Sequence, residues 1–433
     1  MTDAAVLATG VNLIWVLVAS FLVFFMKAGF AMLEAGQVRA KNVANQLTQT
    51  MLTLVVGVLA FFAVGAALAT VAGAATGGGS GDVVGAVLAV FRPTDVNAWA
   101  TWLFGMVFAI AAANIVSGGV AGRCRPRMYA LYTLVIAGVV YPVAAGLAWH
   151  GGLLAQLGFR DFAGGAVIHA LGGLSGLTAA WMIGPRRDRF NDDGSANVIP
   201  GHSVTLVVLG TFILAFGWYG FNVGSAVRVF STQGGVTLAD FATVGRVALV
   251  TTLGMVAGGA GAGLVAWRRT GKLDTLELAN GLLAGLVGIT AAANLLSWPG
   301  ALIVGAIAGA QLPVVFAYVE KRLRIDDVCA VFPVHGTAGI LGAVLLPVFS
   351  VQGFSLAQLG SQVVGVVVIG AWSIGATYVL FRVAMARGWA RADAESEREG
   401  LDIAQHGVET YPEFNGGEGP MDVSLHADGG RAD

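Results

Sequence analysis

The sequence contains few charged residues. Asp, Glu, Lys and Arg together make up 11% of its 433 residues, whereas 56% are hydrophobic. Soluble domains carry about 25% charged residues, so this composition excludes an ordinary water-soluble protein. It indicates a polytopic membrane protein instead.

Cysteine is also scarce, since the chain contains only Cys124 and Cys329. Both lie on the side of the membrane that the charge distribution below assigns to the cytoplasm, a reducing compartment. A structural disulfide is therefore not expected, and two thiols do not make a metal site. We expect neither a metal nor a cofactor.

Long apolar segments make up most of the chain. A helix that crosses a bilayer needs about 20 predominantly apolar residues, and eleven such segments lie between charged connectors. The sequence predicts an all-α protein with a transmembrane domain over residues 1–386 and a cytoplasmic, acidic and partly disordered tail over 387–433. The eleven segments are centred near Val18, Leu59, Ala111, Gly138, Gly173, Leu214, Met255, Gly285, Ala308, Gly342 and Val368.

Lys and Arg are distributed unevenly over the connectors. Cytoplasmic loops carry the excess of these residues, so the pattern predicts an outside N-terminus and, after eleven spans, an inside C-terminus. The sparse set of connectors holds Arg92, Arg160, Arg228 and Arg246. The rich set holds Arg39, Lys41, Arg123, Arg125, Arg127, Arg186, Arg187, Arg189, Arg268, Arg269, Lys272, Lys321, Arg322 and Arg324.

Two pairs of segments resemble each other at a distance of five spans. A β-branched residue, His, three residues and Gly occur around His169 in the fifth span and His335 in the tenth. The first and sixth spans contain FFMKAGF and FGWYGF, each ending in Gly-Phe. An offset of five spans reverses the orientation. We therefore predict two inverted five-helix repeats plus an eleventh helix, with the functional site where the repeats meet near the midplane.

His169 and His335 lie deep inside apolar segments. Ionisable groups at such depth are costly and usually mark a pathway or a site. A bare ion would lose hydration worth on the order of 20 kcal/mol, whereas a neutral molecule with a lone pair and N–H groups suits imidazole, which can donate and accept. The residues thus predict a conduit for a small polar solute. A hydrogen-bonded brace between two helices is the alternative.

Two aromatic residues and a serine lie in the outer parts of the third, fourth and sixth predicted spans. Phe108, Trp149 and Ser225 could hold a small ammonium ion, because aromatic faces attract cations and a hydroxyl can accept a proton. Below them, Phe108 and Phe221 could close the conduit to water. An interfacial aromatic belt is the alternative interpretation.

Two further ionisable positions have a structural interpretation. Asp161 precedes the fifth span, where its residue type favours an N-cap over a substrate-binding carboxylate. Lys27 lies seven residues before Glu34 on the same helical face, which is explained by snorkelling or by an internal ion pair. We assign neither Lys27 nor Glu34 a function.

Taken together, these residues resemble the ammonium transporter (Amt/Mep/Rh) family, specifically its Amt branch. The matching motifs follow one another along nearly the whole chain, and Trp149 and Ser225 favour the Amt branch over Rh-type gas channels. The motifs are AGFAMLEAGQVRAKN (28–42), DFAGGAVIH (161–169), GWYGFNVGSA (217–226), GLLAGLVGIT (281–290), FPVHGTAGILG (332–342) and EREGLDIAQHG (397–407).

The resemblance implies a homotrimer in the cell membrane with one conduction path in each subunit. It also implies inhibition by a PII-type (GlnK-like) protein that docks on the basic loops and the EREGLD tail. Lys27 replaces a neutral residue of the family pattern, and AAANLLS after Thr290 departs from it. The family's functional positions correspond to Phe108, Trp149 and Ser225 for outer recruitment, Phe108 and Phe221 for a gate, His169 and His335 for a twin-histidine pair, and Asp161 and Thr290 for support.

The function that follows is transport of ammonium or ammonia, with methylammonium as a further candidate substrate. Ammonium would be captured outside, lose its proton near the gate and cross as ammonia. The proton could stay outside or follow through the histidines. An ammonium sensor and an Rh-like channel for neutral gases are the alternatives; an enzyme is disfavoured, and no nucleic-acid partner is expected.

Overall fold

The fold follows from a computed structural model that describes residues 3–77, 83–91, 96–227, 229 and 239–412. The described residues are predominantly helical, which confirms the all-α prediction. Arg92 and Arg228, which were assigned to outer connectors, lie outside the described residues, as does the tail beyond Pro412.

Eleven apolar helices account for most of the described chain, and several include π-helical turns. Ten are long and apolar enough to cross a membrane; α8 has 16 residues, or about 24 Å at 1.5 Å per residue, and is shorter than the ~30 Å hydrocarbon core. The predicted centres each lie in one of these helices, so the polytopic prediction is confirmed. The helices are α1 (Ala5–Gln37), α2 (Ala40–Thr76), α3 (Ala98–Val120), α4 (Pro126–Gln156), α5 (Gly165–Ile183), α6 (Val204–Ala226), α7 (Ala242–Thr270), α8 (Thr275–Thr290), α9 (Trp298–Leu323), α10 (Phe332–Phe349) and α11 (Leu356–Ala386).

Helices α5 and α10 touch backbone to backbone at two glycines. A Cβ atom on Gly173 of α5 would lie 2.2 Å from the backbone nitrogen of Gly336, and one on Gly339 of α10 would lie 2.3 Å from the carbonyl oxygen of Gly165. Only glycine permits such an approach. Each of these glycines follows a buried histidine by four residues, which places it one turn further along the same helical face. The crossing therefore brings His169 and His335 together.

Arg123, Arg186 and Arg189, which belong to basic connectors, lie close together at one end of the bundle. We call this the arginine-rich end. Arg186 forms a bidentate pair with the buried Asp326, at 2.8 and 3.0 Å, and Arg189 contacts the same carboxylate at 3.1 Å. The guanidinium of Arg123 donates to the carbonyl oxygens of Gly184 and Asp326. Burial alone would raise the pKa of Asp326, but Arg123 and Arg186 hold it well below its usual range.

The first part of the tail packs against this end of the bundle. It forms two short helices, Ala394–Glu399 and Leu401–His406. The carboxylate of Asp402 accepts hydrogen bonds from the backbone N–H groups of Ala44 and Asn45 in the first turns of α2, at 3.0 and 2.8 Å. The disorder expected for part of the tail therefore does not extend to these two helices.

We expect Asp326→Asn to lower the free energy of unfolding by about 3–5 kcal/mol, because it leaves the guanidinium group of Arg186 without its carboxylate partner and leaves Arg189 with Glu320 as its remaining counter-charge. Thermal unfolding of the detergent-solubilised protein measures this loss. Asp193→Asn is the matched control, since Asp193 is exposed in the α5–α6 connector. Equal apparent melting temperatures for the two variants would contradict the structural role of Asp326.

Candidate functional site

The two buried histidines contact each other directly. The Nδ1 atoms of His169 and His335 lie 3.2 Å apart, and the rings are nearly parallel, with centroids separated by 5.3 Å. A neutral imidazole carries a proton on one nitrogen only. A hydrogen bond between the Nδ1 atoms therefore needs one donor ring and one acceptor ring, which leaves one Nε2 as an acceptor and the other as a donor.

The face of His169 is covered by an aromatic residue that the sequence interpretation did not single out. The indole of Trp218 stacks on the imidazole at 5.1 Å between centroids. Its Nε1–H donates to the hydroxyl of Thr290 at 3.0 Å, which holds the indole in place. The Nε2 atom of His169 is buried and has no hydrogen-bond partner among the described residues. It is therefore available to a small molecule beside the pair.

The aromatic residues predicted at the outer site form a continuous group with the histidines. Phe108 lies 4.5 Å from Phe221 and 6.3 Å from Trp149 between ring centroids. Phe221 in turn lies 5.1 Å from His169. Phe221 is fully buried and Phe108 also lines an open cavity, so the two rings lie between that cavity and His169.

The open cavity has a volume of about 1340 Å³, and its lining includes Phe108, Trp149 and Ser225. The indole N–H of Trp149 donates to the carbonyl oxygen of Asp161 at 2.6 Å. The hydroxyl of Ser225 donates to the carbonyl oxygen of Phe221 at 2.8 Å, so its lone pairs remain as acceptors. The three residues predicted for recruitment thus lie around one cavity.

Asp161 makes the contacts of a helix cap. Its carboxylate accepts four backbone N–H groups, from Gly164, Gly165, Ala166 and Val167, at 2.8–3.0 Å. Burial raises the pKa of Asp161, and the four hydrogen bonds oppose that effect because they favour the ionised form. The geometry supports the interpretation as a cap over a direct contact with substrate.

Asp327 is a second cap that the sequence interpretation missed. It accepts hydrogen bonds from the N–H groups of Val331 and Phe332 at 2.9 and 2.8 Å, at the start of α10. Burial raises its pKa to about 6. The available signal was spacing, because Asp327 precedes His335 by eight residues, as Asp161 precedes His169.

Of the two structural explanations offered for Lys27 and Glu34, the internal ion pair is not among the ion pairs of the described residues. Lys27 instead donates a hydrogen bond to the side-chain oxygen of Asn114 on α3. The carboxylate of Glu34 accepts hydrogen bonds from Ser117 and Gln46, at 2.5 and 2.6 Å. The two charged groups therefore share a polar region between α1, α2 and α3 without touching.

Comparison with known proteins places this architecture in a family. The model of the Ammonium Transporter Family matches residues 14–411. Ammonium transporter Amt2 of Haloferax mediterranei is 60% identical over 99% of this chain and 95% of its own length, and Amt1 of the same organism is 50% identical over 96% and 82%. A solved structure described as a sensor Amt protein superimposes with a TM-score of 0.81, at 31% identity, over 92% of this chain and 99% of that one.

The match extends along the chain from the first apolar helix to the tail, and it includes the apolar helices and both histidines. The two Haloferax relatives are named as ammonium transporters, which agrees with the prediction from the motifs. The chain belongs to the ammonium transporter family, as a multi-pass membrane protein of its Amt branch.

Proposed function

We propose that the chain conducts ammonia along the edge formed by His169 and His335, after ammonium has been captured and deprotonated on the side of the large cavity. The observation that carries this mechanism is the buried contact between the two Nδ1 atoms beside an unpartnered Nε2 of His169. Ammonia has one lone pair and three N–H groups, so it can both donate to and accept from such an edge.

Capture of the cation is assigned to Phe108, Trp149 and Ser225. Aromatic faces stabilise a cation by about 0.5–2 kcal/mol each, which concentrates ammonium without holding it tightly. The hydroxyl oxygen of Ser225 adds an acceptor at the same cavity. Asp161, which is engaged in four backbone hydrogen bonds, acts by holding the start of α5 in place.

Selectivity arises at the gate formed by Phe108 and Phe221. The two rings keep water from the histidines, so an ion that passed them would lose its hydration. Ammonium avoids this cost by leaving its proton behind, whereas potassium has no proton to lose. Thr290 supports the conduit through its hydrogen bond with Trp218, whose ring covers His169.

The proposal includes two inverted five-helix repeats, α1–α5 and α6–α10, with α11 outside them. The equal Asp-to-His spacing in α5 and α10 and the reciprocal glycine contacts support this arrangement. The excess of Lys and Arg at the arginine-rich end supports a cytoplasmic location for that end and an outside N-terminus. Residues 1–386 then form the transmembrane domain and 387–433 the cytoplasmic tail.

The proposed assembly is a homotrimer regulated from the cytoplasm. Support for it comes from the family resemblance, and the docked EREGLD segment lies beside the basic connectors, where a PII-type protein would bind. A second candidate function is ammonium sensing, because the chain superimposes closely on a protein described as a sensor.

Currents in proteoliposomes that contain only this protein test the transport mechanism. An ammonium pulse is expected to produce a current, if the proton follows the nitrogen, or an internal pH change, if it does not. An equal potassium pulse and protein-free vesicles are the controls. Vesicles that show neither a current nor a pH change with ammonium would reject transport and leave the sensor.

His169→Ala is expected to slow ammonium transport or to admit potassium, because it removes the polar edge and opens space beside Trp218. Fluxes of both ions in the same vesicles measure the change. His202→Ala is the matched control, since this imidazole contacts Val38 and Tyr411 at the arginine-rich end instead of the conduit. Unchanged flux and selectivity in His169→Ala would rule out the pathway role.

Trp149→Ala is expected to raise the half-saturating ammonium concentration by about two- to thirtyfold, which corresponds to the loss of one cation–π contact. The maximal rate should change less. Concentration series of the initial rate measure both values. Trp181→Ala serves as the control because Trp181 stacks on Tyr378 away from the cavity; an equal half-saturation in all three proteins would reject recruitment by Trp149.

A further inference from the structure

A small cavity lies next to His335, and neither Phe108 nor Phe221 belongs to its lining. Its volume is about 20 Å³, and about 10–15 Å³ is enough for one water molecule. It therefore has room for a single molecule of the size of water or ammonia. Its lining includes Glu34, Asn280, His335, Trp218 and Cys329, and the other lining residues are Phe30 and aliphatic side chains.

Glu34, near the C-terminal end of α1, brings an acidic side chain to the lining of this cavity. The residue is 2% exposed. Its two oxygens accept one hydrogen bond each, from Ser117 and from Gln46. A carboxylate offers about four acceptor positions, so these two bonds orient the group and leave further acceptor positions for a molecule in the cavity.

Lys27 is a basic residue near Glu34 that does not occupy those positions. Its ammonium group donates to the side-chain oxygen of Asn114, a residue one helical turn before Ser117 on α3. Among the described residues, the ion pairs do not include one between Lys27 and Glu34. The lysine can thus offset the buried negative charge while the carboxylate stays open to the cavity.

From this arrangement, and resting on the proposed function, we propose that Glu34 is the proton-exchanging residue at the arginine-rich end of the conduit, which protonates ammonia as it emerges past His335 and holds the ammonium that forms. The carboxylic acid gives its proton to the lone pair of ammonia, so an O–H bond breaks and an N–H bond forms. The products are an ammonium ion and the carboxylate of Glu34, and opposite charges face each other in the cavity.

The cycle closes when the carboxylate takes up another proton. That proton comes either from water at the arginine-rich end or through His335 and His169. The first route gives neutral transport of ammonia, and the second carries a charge across the membrane. Glu34 serves both routes because the cavity lies between the histidines and that end. In the reverse direction the same carboxylate removes a proton from ammonium.

Other titratable groups surround Glu34 on the helices that pack against it. They are Lys27 on its own helix, Tyr129 and Tyr132 on α4, Cys329 before α10 and His335 on α10. Tyrosine and cysteine are ordinarily neutral at pH 7. Glu34 is therefore the acidic group of this set that can pass between its charged and neutral forms during each cycle.

Glu34→Gln tests the inference because it keeps the size of the side chain and removes its titration. In proteoliposomes, with the pH varied equally on both sides, we expect the ammonium transport rate to fall by about tenfold or more and the remaining rate to lose its dependence on pH. Asp193→Asn, which makes the same change of charge at an exposed position, is expected to match the wild type. Melting temperatures in detergent verify that each variant is folded.

Glu34→Asp retains a titratable group at a shorter reach and is expected to transport with a wild-type pH profile at a reduced rate. If Glu34→Gln does not fold or is inactive, Glu34→Asp tests proton exchange by this residue instead. A folded but inactive Glu34→Asp would overturn the inference. A Glu34→Gln protein whose pH profile keeps the wild-type shape would also overturn the inference, whatever its transport rate. Glu34 would then be a structural link only. A wild type that does not transport ammonium would instead reject the proposed function.

Discussion

The whole arrangement depends on the close crossing of α5 and α10. Gly173 and Gly339 remove the side chains that would otherwise separate the helices, and the contacts at Gly336 and Gly165 make the approach reciprocal. Because each histidine lies one turn from its glycine, the two imidazoles are brought together within a bundle of predominantly apolar helices. Any residue larger than glycine at these positions would move one histidine away from the other, whatever its own polarity.

The pairing of the rings then determines what surrounds them. Trp218 packs on one face of His169, and Thr290 fixes that indole by a hydrogen bond. Phe221 packs beside the same imidazole and is itself in contact with Phe108. The pair is thus bordered by Phe108 and Phe221 on the side of the large cavity, and on the side of the small cavity by a mainly apolar lining that includes Glu34 and Asn280.

The helices and the histidine pair could be predicted from the sequence, because a membrane-spanning helix is identified by its length and hydropathy. The eleven predicted centres fall in eleven helices, and the two histidines stand out as ionisable groups in apolar surroundings. The role of Trp218 could not be predicted, since an aromatic residue in such a helix contacts lipid or protein equally well. Lys27 and Glu34 share a helical face, but their partners Asn114, Ser117 and Gln46 come from other helices, and the helical periodicity of α1 carries no information about them.

The two caps have an electrostatic consequence for the mouths of the proposed conduit. A helix N-terminus carries roughly half a positive charge, and α5 and α10 begin near the large and the small cavity, respectively. Left alone, those two termini would repel a cation from both approaches to the histidines. Asp161 and Asp327 accept the free N–H groups there and supply compensating negative charge. Because a carboxylate carries a full negative charge, each cap more than offsets the half positive charge of its terminus. Neither helix start therefore repels an arriving or departing ammonium ion, although the helices face opposite ways.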